Sequence, residues 1–181
     1  MLFILLCYSI AIGELGLSDG KPISIAFKQH DHNECSGRGM QSAQDYCKEH
    51  KLQLTPARRK VLELLLQEHR ALGAYTILDL LREAGFKSQP PIAYRALDFL
   101  VENGFAHKIE RLNAFVACSL PGTKHSPAFM ICRQCETVAE TQSPMSNLKL
   151  SATAGVSGFQ IEQTIIEAKG VCNSCAEIEQ L

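Results

Sequence analysis

PPIAYRALDFLVENGFAHKIERLNAFVAC, residues 90–118, changes its apolar period in mid-course. Ala93, Leu97, Leu100 and Val101 recur at helical spacing after Gln89-Pro90-Pro91, a start at which proline's missing N–H costs nothing. With that stripe turned inward, Tyr94, Arg95 and Asp98 point elsewhere. Asn103-Gly104 ends the helix. Phe105 to Ile109 and Ala114 to Cys118 then read as two short strands joined by Glu110-Arg111-Leu112-Asn113.

Upstream, Ser42 to Lys51 reads as a first helix with Ser42 as its N-cap. Thr55-Pro56 is an N-cap followed by proline at the first helical position, and Val61, Leu62, Leu65 and Leu66 carry a second helix to about His69. Ile77, Leu80, Leu81 and Ala84 mark a third, stopped by Gly85. Helices followed by a small hairpin outline a winged helix-turn-helix, which packs its helices on one another and leaves the last free for a DNA major groove. Beyond Pro121-Gly122 the pattern changes. Ala128 to Ile131, Glu136 to Glu140 and Phe159 to Ala168 read as strands, with a helix near Pro144 to Ala154. The expected class is therefore α+β: an N-terminal winged helix-turn-helix followed by a small α/β domain.

Composition agrees with a folded protein. Of 181 residues, 46% are apolar and 20% charged, enough apolar surface to exclude a disordered chain. The formal charge of −1 conceals a division along the chain. Residues 48–111 hold eleven Lys or Arg against eight Asp or Glu, and both flanks are acidic. A local basic excess suits an anionic partner, and a solvated charged face equally well. Met1 to Gly13 is apolar but has no Lys or Arg before it and falls short of the roughly 20 residues that span a bilayer. Residues 1 to about 20 thus read as an upstream extension; an added strand or a degenerate export signal are the alternatives.

Two of the chain's cysteine pairs have metal-ligand spacing. Cys132-Arg-Gln-Cys135 and Cys172-Asn-Ser-Cys175 are separated by 36 residues. Each C-x-x-C presents two thiolates from one tight turn, so together they suit a single tetrahedral zinc site. A disulfide framework or two separate dithiols would use the same residues.

Leu54-Thr55-Pro56-Ala57-Arg58-Arg59, Pro91-Ile92-Ala93-Tyr94-Arg95-Ala96-Leu97-Asp98-Phe99-Leu100, Gly104-Phe105-Ala106-His107-Lys108 and both knuckles together resemble the ferric uptake regulator (Fur) superfamily, most of all its zinc uptake regulator (Zur) branch. The resemblance covers roughly residues 28–181. It implies a cytoplasmic, non-catalytic winged-helix repressor of zinc uptake genes that binds palindromic double-stranded DNA operators as a metal-loaded homodimer, with one or two dimers on each operator and no membrane association. It divides the chain into an extension (1–27), a winged-helix DNA-binding domain (28–120) and a dimerisation and zinc-binding domain (121–181). Two Zn2+ per subunit are implied. The structural ion falls on Cys132, Cys135, Cys172 and Cys175, and the regulatory ion on His107, Cys118, His125 and Glu140.

One thiolate, two imidazoles and one carboxylate can close a tetrahedron around zinc. Without its companions, His107 or Cys118 would pass for a packing residue, and Glu140, with Glu136 nearby, for an ordinary surface carboxylate. Iron regulators of the family carry a His-His-Asp-His cluster before the first knuckle, where this chain has Thr123-Lys124-His125-Ser126-Pro127. For DNA contact the best candidates are Tyr94, which can meet a phosphate or a thymine methyl, and Arg95, which can pair bidentately with guanine; Arg58, Arg59 and Lys60 suit phosphates or solvent, and Lys108 on the wing suits DNA backbone or minor groove. His30, His32 and Cys35 form either a further metal site or a polar tail with incidental ligands. The rivals are an iron- or peroxide-sensing regulator, a zinc hydrolase whose ligands hold a reactive water, and an exported zinc-binding protein.

Overall fold

A computed structural model of the chain describes residue 27 and residues 32–179, apart from 68, 88, 124, 143–145 and 163. The expectations for residues 1–20 and for a ligand cluster at His30, His32 and Cys35 lie outside what is described.

The first half is helical where the apolar spacing demanded it: α1 (His32–Glu49), α2 (Pro56–Gln67), α3 (Ala74–Glu83) and α4 (Pro90–Glu102). Val61, Leu62 and Leu65 of α2 bury against Ile77 and Leu81 of α3 and Ala93, Leu97 and Leu100 of α4, with Phe105 closing the cluster. Thr55 caps α2, its Oγ1 accepting from Arg58 N at 3.4 Å. Gly104, at φ +69°, ends α4 in the left-handed conformation, so that Phe105 N reaches Leu100 O at 2.8 Å and the chain turns into the next strand.

Two helical expectations are corrected. α1 begins ten residues before Ser42, which is therefore an interior residue and not a cap. Its early turns carry Gly37 and Gly39 and no clear apolar stripe. They lie close against α2: a Cβ on Gly39 would stand 2.7 Å from Leu66 Cδ2, so a larger residue there would require that side chain to move. Val101 is exposed, and Ala96 and Phe99 take the buried places in α4 instead.

Two three-stranded sheets complete the molecule. β1 (Leu72–Gly73), β2 (Ala106–Ile109) and β3 (Ala114–Ala117) form an antiparallel sheet in the order β1-β3-β2, with a 3-10 turn at Glu110–Leu112 between β2 and β3. β4 (Pro127–Cys132), β5 (Val138–Gln142) and β6 (Ile166–Gly170) form the second sheet, ordered β5-β4-β6; β4 runs antiparallel to β5 and parallel to β6. α5 (Ser146–Val156) and α6 (Asn173–Glu179) flank β6 in sequence. The strand expected from Glu136 starts at Val138, because Glu136 sits in the turn at φ +59°. The strand expected from Phe159 starts only at Ile166, and Phe159 is exposed. β1 and α6 were not anticipated.

The sheets meet across a second buried cluster, Ile109 and Val116 from the hairpin against Phe129, Ile131 and Val138. Val138 N also donates to His69 O at 2.7 Å, and Arg70 bridges Thr137. Among the described residues, no helix is long and apolar enough to cross a membrane.

Candidate metal centres and nucleic-acid face

Cys132 closes β4 opposite Gly170 of β6, so the parallel pair delivers both knuckles to one end of the sheet. The four sulfurs of Cys132, Cys135, Cys172 and Cys175 lie within 4.8 Å of one another. Cys135 Sγ and Cys172 Sγ are 3.8 Å apart, the separation that follows from tetrahedral zinc–sulfur bonds of about 2.3 Å. All four are free thiols, and their convergence on one point removes the alternative of two separate dithiols. Burial pushes the Cys132 thiol up, yet the amides of Cys135, Cys172 and Gln134 outweigh it and hold the group at about 6. Cys135 is also lowered, chiefly by Thr137. Cys175 is pushed up to about 12 by its neighbours, Cys172 first. Two sulfurs ready to ionise and one that resists describe a cluster whose full ionisation needs a cation among them.

A second set draws on four parts of the chain. His107 comes from β2, Cys118 follows β3, His125 lies in the segment leading to β4, and Glu140 sits on β5. Their ligand atoms also lie within 4.8 Å of one another. His125 Nε2 is 2.7 Å from Glu140 Oε1 and 3.7 Å from Cys118 Sγ; His107 Nε2 is 3.2 Å from the same carboxylate oxygen. His125 Nδ1 lies 2.7 Å from Thr123 O, a contact that orients the ring and turns Nε2 toward its companions. Ser119 N donates to the other Glu140 oxygen at 2.7 Å.

Two observations test whether this set fits zinc. His107 Nε2 is fully buried and makes no hydrogen bond, despite its closeness to Glu140. Glu140 is the one buried charged residue among those described, at 7% exposure. An orphaned imidazole nitrogen beside a buried carboxylate is costly unless a cation occupies the space between them. The donors fit. Burial pushes the Glu140 carboxyl up, but His107, Ser119 N–H and His125 together hold it at about 2. Burial and the Glu140 charge push the Cys118 thiol well above its ordinary range, against a weaker opposing effect from Leu120 N–H. Glu136 is not part of the set. The supporting backbone groups of Ser119 and Thr123 escaped sequence reasoning, because a backbone amide or carbonyl leaves no mark on residue type.

On the opposite side of the hairpin, Tyr94 is 43% exposed on α4, and Arg95 beside it is exposed. Among the described residues Arg95 makes no ion pair with Asp98, so its guanidinium is free to reach outward. Tyr94 and Lys108 line one groove of about 440 Å³ with Tyr75, Asp98 and Phe115. Arg58 is engaged inside the fold: its guanidinium lies 3.7 Å over the Phe99 ring and donates to Gln53 O at 2.7 Å. Arg59 pairs with Glu63 at 3.3 Å, and Lys108 with Glu110 at 2.8 Å.

Helices, an antiparallel wing and two ligand sets, one at the junction of the sheets, define a winged-helix protein built to hold metal. No family model matches the chain. It is 41% identical over 138 residues to the zinc uptake regulation protein of Escherichia coli (strain K12), covering 76% of this chain and 81% of that one. The zinc uptake regulation protein of Shigella flexneri matches equally. A solved zinc uptake regulator complexed with zinc and DNA superposes with a TM-score of 0.75 at 37% identity, covering 84% of this chain and all of that one. The crystal structure of holo XcZur follows at 0.70 and 40%, covering 76% and 96%. The chain belongs to the zinc uptake regulator branch of the ferric uptake regulator family.

Proposed function

We propose that the chain is a zinc-responsive transcriptional repressor of zinc uptake genes, acting in the cytoplasm as a homodimer on palindromic operator DNA. One observation carries this: His107, Cys118, His125 and Glu140 converge where the wing meets the second sheet, with a buried imidazole nitrogen that makes no hydrogen bond and lies 3.2 Å from the carboxylate. An ion held there sees ligands from both sides of the junction, so its binding and the wing's position are one equilibrium.

Zinc supplies two positive charges that offset the Cys118 thiolate and Glu140 carboxylate. The chain's own residues do the rest. His107 ties β2 to the site, Cys118 ties the end of β3, and Glu140 receives both from β5 while Ser119 N–H steadies its second oxygen. Cys132, Cys135, Cys172 and Cys175 hold a second, structural ion, giving two per subunit. Residues 28–120 form the DNA-binding unit and 121–181 the dimerisation unit. Dimerisation is supported by apolar side chains that the second unit leaves in water: Leu150, Val156, Phe159, Ile165 and Ile178. Tyr94 and Arg95 read the major groove, while Lys108 and Arg59 meet phosphates; Arg58, held over Phe99 and on Gln53 O, steadies α2 instead. The role is not catalytic, since four protein ligands leave zinc no open position for a reactive water.

A gel shift on DNA from upstream of zinc-import genes tests the proposal. A zinc-dependent shift abolished by chelator is expected; no binding at any zinc level would point to the exported binder or the hydrolase.

A further inference from the structure

The second sheet holds the wing through polar contacts at both of its ends, with an apolar cluster between them, and the mixed ligand set is at only one end. In register, Phe129 of β4 lies opposite both Glu140 of β5 and Glu167 of β6. Directly opposed residues share a face, so Glu140, Phe129 and Glu167 form one row across the sheet. Each member of the row meets the wing. Glu140 takes Ser119 N–H just beyond β3 and approaches His107 of β2. Phe129 packs in the shared cluster, its ring 5.4 Å from that of His107. Glu167 accepts from two successive amides of the 3-10 turn at the wing tip, Glu110 N at 2.7 Å and Arg111 N at 3.1 Å. A carboxylate across the first two amides of a turn satisfies donors that have no partner within it and favours that turn's geometry.

We propose that Glu167 is a positioning residue for DNA recognition: it latches the wing tip to the second sheet while the mixed ligand set holds the wing's other end. A hairpin held at one end can still swing about it, and one held at both cannot. Lys108, one residue before Ile109 at the end of β2, would be carried with the tip, and Lys108 lines the groove with Tyr94. Glu167 also lies five residues before Cys172, on the strand whose far end the four-cysteine site fixes. The structural ion therefore bears on the wing through β6, with no contact of its own to DNA.

This inference rests on the repressor function proposed above, so the test separates the two. Full-length wild type, Glu167→Ala and Glu167→Gln are loaded with zinc, and metal content and oligomeric state are checked for equality. Amide exchange at Glu110 and Arg111 is then followed by NMR beside that of Ala114 and Val116, which the latch does not touch. Glu167→Ala should lose protection at Glu110 and Arg111 alone. Glu167→Gln, with one acceptor oxygen left, should keep part of it even if the alanine variant folds poorly. Operator affinity should fall about fivefold in Glu167→Ala and less in Glu167→Gln, at unchanged zinc content. Unchanged exchange at both amides overturns the latch, as does lost protection with unchanged operator affinity. If wild type itself ignores DNA, the repressor function fails, and with it the recognition role; the exchange data then report only whether the tip is held.

Discussion

Cys118 and Cys132 carry the same side chain in opposite electrostatic settings. Burial and a carboxylate hold Cys118 protonated, whereas three amides favour the Cys132 thiolate. Cys118→Ser should leave a folded protein that no longer binds DNA in response to zinc, because Glu140 keeps His125 and Ser119 N–H without the thiol. Cys132→Ser should unfold the second unit, since structural zinc contributes about 10–16 kcal/mol in small peptides where metal binding and folding are one event. Circular dichroism with sizing and a DNA titration checks both. Glu140 gives a pH dependence. Its folded value of about 2 lies below the ordinary 4.5, so it contributes stability above pH 4.5 that fades as pH falls from there toward 2. In zinc-free protein, Glu140→Gln should flatten acid unfolding across that window by about 3 kcal/mol, measured by denaturant melts at stepped pH. The four cysteines were legible because their spacing is itself the geometry. Positions 107, 118, 125 and 140 share no interval, and only resemblance picked them out, since tertiary contacts between sheets create that site.

α4 shows how far a single element could be read. Its proline start, glycine stop and inner stripe were all legible, and Tyr94 and Arg95 do face outward. Arg95→Ala should cost about 1–3 kcal/mol on an operator and relax preference at one base position in each half-site. Lys108→Ala should weaken all DNA alike and lower the salt slope by about one unit. Titrations across salt with a scrambled duplex distinguish them; full operator preference in Arg95→Ala would place the recognition surface elsewhere. At the helix end, Gly104→Ala should destabilise by about 1 kcal/mol, because alanine resists the left-handed backbone that aims the chain into the wing. The start of α1 was not legible. Its early turns lack periodicity and are held by contact at Gly39, which is invisible until α2 is in place. β6 was mislaid for a similar reason: its pairing partner lies far upstream, and its exposed residues alternate weakly.

For the molecule as a whole, a regulatory ion at the junction site, as proposed, would make zinc affinity and operator affinity reciprocal. Filling the mixed site should raise operator affinity about 5- to 150-fold, and operator DNA should tighten zinc binding by the same factor, which calorimetry with and without duplex can measure. The parallel pairing of β4 with β6 carries a different consequence, one of time. Ala128 meets Ile166 across 38 positions of chain, so no local turn can start this pair, and loop closure must come before any strand contact repays it. The two knuckles stand at the far end of that strand pair and can be joined by an ion before the strands zip. Refolding with zinc present from the first moment should therefore outpace refolding with zinc added later, and Mg2+, which thiolates bind poorly, should not substitute for zinc in the first mix. A stopped-flow comparison of the two mixing orders would reveal the metal as the molecule's folding nucleus.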